Sequence, residues 1–449
     1  MSNSNIIALV ATLLVRLCAG YLCDFFGPRR TFGESVEPLI STDHETLTFI
    51  PALCLVAGAI PTFCAGGVNS AAGLYANRFF IGILGGSFVP CQVWMTGFFD
   101  KNVVGSANAL AAGFGNAGGG VTYFIMPAIY TALTKDGKSP HVAWRIDFIV
   151  PGVVIIAVAL CLFFLCPDTP VGTWAERQAA IEDNMRKHEM VGIATIPSNE
   201  GAIVDIPGRM STEKDVSTMP TSSEDLSQSS DTKKDVLPPA DEVHYEDNEA
   251  HIGPEQMYEA AKGEVVRKPT GKEIGKVLMS PQTWVMGAHY FCSFGAELSI
   301  NSILGTWYGI NFKTYHLTTA QAGDWAAMFG LLNIICRPLG GFAADYAYRS
   351  TGSVWSKKIL LHTYAVCFGA FAIAVGVLNP KNPKTMLGLF GGLAFFLEGG
   401  NGLNYSLVPH VHPFANGIVS GFTGAMGNFG GKQSLHCCLR AFANIISQV

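Results

Sequence analysis

Charged residues are scarce in this sequence. Only 14% of its 449 residues are Asp, Glu, Lys or Arg, against roughly 25% in soluble domains. That shortage excludes an ordinary water-facing surface. The formal net charge is −5, so nothing points to nucleic acid as a partner. The 12 cysteines are scattered, mostly inside apolar runs. They lack paired metal-ligand spacing and read as small apolar fillers. No nucleophile–base pair, phosphate-cradling loop or metal cluster can be assembled from the motifs, so no enzyme and no cofactor is expected. A cleavable signal peptide is not visible either: the apolar run Ile6 to Val15 leads into Arg16 and continues past it.

What is present is apolar and glycine-rich. Hydrophobic residues make up 49% of the chain, and 50 residues are Gly. Gly is more frequent in transmembrane helices than in soluble ones. A spanning helix needs about 20 mostly apolar residues. Segments 5–26, 51–70, 72–98, 104–131, 145–166, 283–309, 319–346, 357–378, 384–408 and 413–432 meet that need. The expected fold is an all-α membrane protein. It has a first transmembrane unit at 1–166, a central loop at 167–280 and a second transmembrane unit at 281–449.

The central loop holds a Ser/Thr-rich run, Ser211 to Asp231, and an acidic run, Asp241 to Glu249. Such a composition cannot bury a core. Its flanks are basic, with Arg177, Arg186 and Lys187 on one side and Arg267, Lys268, Lys272 and Lys276 on the other. The excess of Lys and Arg predicts a cytosolic loop. A kinase acting on its serines is a candidate partner.

Two internal repeats organise the apolar segments. Arg16-x3-Gly20-x3-Asp24 recurs as Arg337-x3-Gly341-x3-Asp345. Gly115-Asn116-Ala117-Gly118-Gly119 recurs as Gly427-Asn428-Phe429-Gly430-Gly431. Parallel repeats with a substrate site between them at mid-membrane are a known transporter architecture. The repeats fall on helices numbered differently in the two units. That offset predicts twelve helices in a complete version, of which the first and last are missing here. Segment 33–50 and the tail after 431 depart from the pattern, as a retained intron and a shifted frame would.

Arg16 and Arg337 are the leading site candidates. An Arg near a helix centre costs at least about 2.5–3.5 kcal/mol to insert. Two at matched positions are expected to face each other across a central cavity, and two guanidinium forks suit a small planar oxyanion. The alternative is snorkelling or pairing with an acid, which needs no matched position. The glycines Gly115, Gly118, Gly119, Gly427 and Gly430 are expected to let helices pack closely. Asn116 is open to both packing and substrate contact. Besides Asp24 and Asp345 of the repeat, Glu297 and Glu398 stand out as intramembrane acids. Glu297 is the candidate proton site and Glu398 reads as structural, with a structural ion pair the alternative for both. His410 and His412, between Pro409 and Pro413, read as a loop.

Two stretches carry a family resemblance. Gly20-x3-Asp24-x2-Gly27-x-Arg29-Arg30 resembles the loop signature of the major facilitator superfamily, with a degraded second copy at Asp345. Arg78 to Gln92, then Ala112 to Gly120, with Gly424 to Gly431 as a second signature, resemble the nitrate/nitrite porter family. The long loop is similar to that of its fungal members. The resemblance implies two pseudo-symmetric six-helix halves and proton-coupled nitrate or nitrite uptake at the plasma membrane. It implies that Arg16 and Arg337 bind the anion, that Asn116 and Asn428 lie at the site, and that Phe88, Tyr290 and Phe294 form aromatic walls. It gives Gly20, Asp24, Gly27, Arg29, Arg30 and Asp345 to a gating motif that works through charge pairs. Nitrate or nitrite, protons and the lipid bilayer are the implied partners. The competing expectations are a non-transporting splice product, a nitrate sensor, and a carrier for another organic anion.

Overall fold

A computed structural model describes residues 2–27, 53–166 and 269–446. Among them, every regular element is helical. The first unit contains α1 (Ser2–Phe26), α2 (Leu53–Cys64), α3 (Ala71–Ile81), α4 (Phe88–Phe98), α5 (Val104–Lys135), α6 (Pro140–Asp147) and α7 (Ile149–Leu165). The second contains α8 (Gly271–Met279), α9 (Pro281–Asn311), α10 (Thr319–Leu331), α11 (Asn333–Thr351), α12 (Val354–Leu378), α13 (Pro383–Val411) and α14 (Asn416–Ile446). Segment 33–50, the Ser/Thr-rich and acidic runs, Arg29 and Arg30 lie outside the described residues.

Local sequence explains the boundaries. Ser70 caps α3 by accepting the Gly73 amide at 3.0 Å. Thr270 with Glu273, and Thr318 with Gln321, form capping boxes at the starts of α8 and α10. Pro140, Pro281 and Pro383 occupy first helical turns, where a missing N–H costs nothing. Helix α11 ends at Gly352, whose φ of 66° suits a left-handed cap.

Nine of the ten expected apolar segments fall in long helical stretches, and the tenth, 51–70, is helical only from Leu53 to a short 3₁₀ turn ending at Gly67. Six helical stretches are long and apolar enough to cross a membrane: Ser4–Phe25, Ala71–Phe98, Pro140–Leu162, Ala320–Thr351, Val354–Leu378 and Pro383–Val411. Helices α5, α9 and α14 are as long but carry more Gly, Asn and Ser, and they pack against other helices: α9 and α1 on α14, and α5 on α10, α11 and α13. Helix α12 shows the opposite surface. Its Val366, Ile373, Val377 and Leu378 are 65–77% exposed, an apolar face that suits lipid.

The expected span 72–98 changes form midway. Between α3 and α4, Gly82–Ser87 tightens into a 3₁₀ segment. A Cβ on Gly82 would meet the Ala8 carbonyl and Ala11, and one on Gly86 would meet Val15. The glycines therefore let the segment press against α1. Two of its carbonyls bond to α1 side chains: Thr12 Oγ1 donates to Gly82 at 2.8 Å, and Arg16 Nε donates to Gly85 at 2.9 Å.

Candidate functional site

The site is built where α1, α4, α9, α11, α13 and α14 meet. Arg16 is 6% exposed and Arg337 is fully buried. Both guanidinium groups stand near the ring of Phe294, at 5.5 Å and 5.8 Å from its centroid. Phe88 lies 4.7 Å from the Arg16 guanidinium. Tyr290 stacks on Phe294 with centroids 4.7 Å apart and planes 7° from parallel. That stack follows from their four-residue spacing on one helix face. Tyr405 closes the cluster edge-on to both Phe88 and Tyr290, at 5.0 Å and 5.1 Å. A Cβ on Gly427 would collide with the Tyr290 and Phe294 rings, so this glycine makes room for the aromatic wall.

The two arginines have different partners. Arg337 Nη2 bonds Glu297 Oε2 at 2.7 Å, and Arg337 Nε donates to Asn333 at 2.9 Å. Glu297 also accepts from Asn333 at 3.0 Å and from Asn401 at 2.6 Å. Asn401 in turn accepts from Ser293 at 2.7 Å. This buried carboxylate is thus fully satisfied, as a buried charge must be. Among the described residues, Arg16 donates only to the backbone carbonyls of Gly85 and Gly424, at 2.9 Å and 3.0 Å. It has no carboxylate partner among the described residues. Arg16, Arg337 and ionised Glu297 therefore leave one uncompensated positive charge beside Phe88 and Phe294. Arg337 and the Tyr290 hydroxyl are buried and interact with each other, and neither Arg337 Nη1 nor that hydroxyl makes a well-aligned hydrogen bond to any other group among the described residues.

The expected residues divide accordingly. Arg16, Arg337, Phe88, Tyr290 and Phe294 come together. Asn428 is buried and donates to the Gly424 carbonyl at 2.9 Å, the same oxygen that receives Arg16. Asn116 does not join them: its amide bonds the Ala112 carbonyl one turn back at 2.8 Å, and it makes no hydrogen bond to the cluster. Gly115, Gly118 and Gly119 would meet nothing within 4 Å, so they do not pack closely here. Gly430 does, against Phe291. Glu297, expected to be free to titrate, is held in the ion pair. His410 lies inside α13 rather than in a loop, fully buried, with Nε2 3.3 Å from Lys357 Nζ.

The residues expected to form a gating motif make two matched clasps between the units. A Cβ on Gly20 would strike the Gly417 carbonyl and one on Gly341 the Gly105 carbonyl. Each glycine thus lets its helix touch a helix of the other unit. Asp24 then accepts from the backbone amides of Gly417 and Ile418, at 2.7 Å and 2.9 Å, at the start of α14. Asp345 accepts from the Ser106 amide and hydroxyl at 2.6 Å and 2.7 Å, at the start of α5. Both carboxylates face the positive end of a helix dipole. Asp345 also pairs with Lys357 at 3.1 Å. The expected charge pairs are therefore only part of the clasp. Gly27 is buried at a φ of 89° just past the end of α1.

Sequence reasoning missed Asn333, Asn401, Ser293 and Tyr405. Asn333 could have been found, since it sits four residues before Arg337 and shares its face. The carbonyls of Gly85 and Gly424 carry no side-chain signal.

Comparison with known proteins gives a consistent outline. Residues 46–431 match the Major Facilitator Superfamily. The chain is 41% identical over 389 residues to "Elsinochrome transporter 1" of Elsinoe fawcettii, covering 84% of this chain and 72% of that protein. It is 26% identical over 434 residues to "High affinity nitrate transporter 2.5" of Arabidopsis thaliana, covering 96% of this chain and 64% of that one. It therefore spans only about two thirds of the length of these relatives. The structure is similar to that of the E. coli fucose:proton symporter, with a TM-score of 0.55 at 11% identity over 99% of this chain and 85% of that one. At that identity the likeness concerns the fold alone.

Proposed function

Because the chain belongs to the Major Facilitator Superfamily and is a multi-pass membrane transporter, we propose that it carries nitrate or nitrite with protons by alternating access. The observation that carries this reading is the buried, uncompensated charge of Arg16. One monovalent anion between Arg16 and Arg337 would bring the cluster to neutrality. A flat anion would also fit beside Phe88, Tyr290 and Phe294 while accepting from the two guanidinium forks. The 26% identity to a protein named as a nitrate transporter supports the same substrate class.

In this reading the protein resides in the plasma membrane with segment 167–280 in the cytosol. The Asp24 and Asp345 clasps hold the cytosolic ends of the two units together and part when the site opens inward. Proton coupling serves energetics, because a monovalent anion entering a negative-inside cell climbs about 2.3 kcal/mol per 100 mV. A kinase acting on the central loop would regulate the carrier.

The test is nitrate and nitrite uptake in a transport-null cell. The parent chain is expected to take up at least one of them, and Arg337→Lys to lose most of that uptake. Full uptake by Arg337→Lys would contradict a site built on paired forks, because Lys offers one compact ammonium.

A second reading comes from the 41% identity to the elsinochrome transporter: the substrate is elsinochrome or a compound like it. Movement of elsinochrome, with no uptake of either inorganic anion, would decide for it.

A further inference from the structure

We propose that the coupled proton rides on Glu398 of α13, not on Glu297. The inference rests on the anion-carrier reading above and adds the group that links proton to anion.

Glu297 and Glu398 are both buried, in opposite circumstances. Glu297 accepts three side-chain hydrogen bonds and is ion-paired with Arg337. Glu398 is fully buried, and neither of its carboxylate oxygens has a hydrogen-bond partner among the described residues. An isolated carboxylate in an apolar interior is so costly that the group neutralises instead. Protonation meets that demand without rearrangement, whereas a proton on Glu297 would break a satisfied network.

Position gives this proton a purpose. Glu398 stands three residues before Asn401, so the two lie on neighbouring turns of one face of α13. Asn401 is the residue that donates to Glu297 at 2.6 Å. The charged groups facing Glu398 are Glu297 from α9 and Arg337 from α11. The Cys336 thiol faces it from α11 as well. From α12, the ring of Tyr364 packs against the neighbouring Gly399. Glu398 thus sits within the field of the anion site without touching Arg337.

The charge balance follows. With Glu398 protonated, Arg16, Arg337 and Glu297 sum to +1, and a monovalent anion is attracted and neutralised. With Glu398 ionised, the four groups together sum to zero, and that attraction disappears. Binding of the anion therefore requires the proton on Glu398. Release of the proton to water on the far side weakens the hold on the anion. The carboxyl O–H bond forms with a proton taken from water on one side and breaks when that proton passes to water on the other; nothing is oxidised or reduced.

The experiment uses the full chain in proteoliposomes with nitrate as the probe. Glu398→Gln imitates the protonated acid in shape and charge but cannot release a proton. The parent is expected to accumulate nitrate when the outside is made acidic. Glu398→Gln is expected to keep nitrate–nitrate exchange while its accumulation falls to the level seen without a pH gradient. Infrared spectra at neutral pH are expected to show a protonated carboxylic acid band in the parent that is absent from Glu398→Gln. Gradient-driven accumulation by the variant overturns the proposal. So does a parent without that band, and so does loss of exchange together with accumulation, which would make Glu398 structural. If the parent itself neither exchanges nor accumulates nitrate, the carrier reading falls, and this proposal falls with it.

Discussion

Arg16 and Arg337 occupy the same place in a sequence repeat, yet the structure treats them differently. Arg337 is tied to a carboxylate, Glu297, at 2.7 Å. Among the described residues, Arg16 is held only by two backbone carbonyls. The repeat brings two cations to one aromatic ring, and the non-repeated residues decide which charge is already balanced. The second repeat shows a similar split. Gly427 and Gly430 are pressed against α9, while Gly115 and Gly118 of α5 have open space where a Cβ would go. The Asp clasps, by contrast, match in both copies. Duplication thus preserved the contacts between the units and left the surroundings of the charges free to diverge.

The largest test of this contrast is Glu297→Gln. It leaves Arg337 buried without its counter-charge and should cost about 3–5 kcal/mol, read as a drop in the thermal unfolding midpoint of the purified protein. Arg16→Gln removes no ion pair and should cost clearly less. Equal losses would mean that the two arginines are not held differently.

Next in size is an affinity effect. Arg16→Lys keeps the charge but loses the fork that reaches Gly85 and Gly424. Nitrate binding, measured by titration, should weaken at least about tenfold, which corresponds to about 1.4 kcal/mol.

Gly430→Ala forces a methyl group against the Phe291 backbone and should destabilise by about 1–3 kcal/mol. Asp24→Asn weakens a helix-end interaction of about 0.3–1 kcal/mol, while Asp345→Asn also strands the buried Lys357 ammonium and should cost about 3–5 kcal/mol. The clasps match, so both variants should shift the same inward–outward equilibrium in the same direction, as seen by cysteine accessibility of the two faces. Opposite shifts would end the symmetry argument. Smallest of all, Gly118→Ala should change stability by less than about 0.5 kcal/mol, and a loss as large as that of Gly430→Ala would show that the two copies are packed alike.

Much of the fold was legible because bilayer spans and repeats are statements about runs and spacing. The ten apolar segments, Arg16, Arg337 and the Tyr290–Phe294 pair could all be read that way. The change of form at Gly82–Ser87 was not, because it depends on what α1 places against those glycines. The pairing of Glu297 was hidden for a related reason: Asn333 and Arg337 of α11 and Asn401 of α13 converge on it from two other helices, and no local pattern records convergence. Asn116 misled because its surroundings match those of Asn428 in sequence but not in space. The difference between Glu297 and Glu398 depends on which donors reach each carboxylate, and sequence carries that only through the fold.

The bond from Arg16 to the Gly424 carbonyl joins groups 408 residues apart, and Asp24 finds its amides 393 residues downstream. During synthesis at about 5–20 residues per second, the first helix would wait roughly 20–80 s for those partners to emerge. Over that interval Arg16 has its Gly85 and Phe88 contacts but not the Gly424 carbonyl, and Asp24 lacks both of its amides. The packing of α1 is thus completed only when α14 emerges, so its burial is set late in translation rather than as α1 enters the membrane.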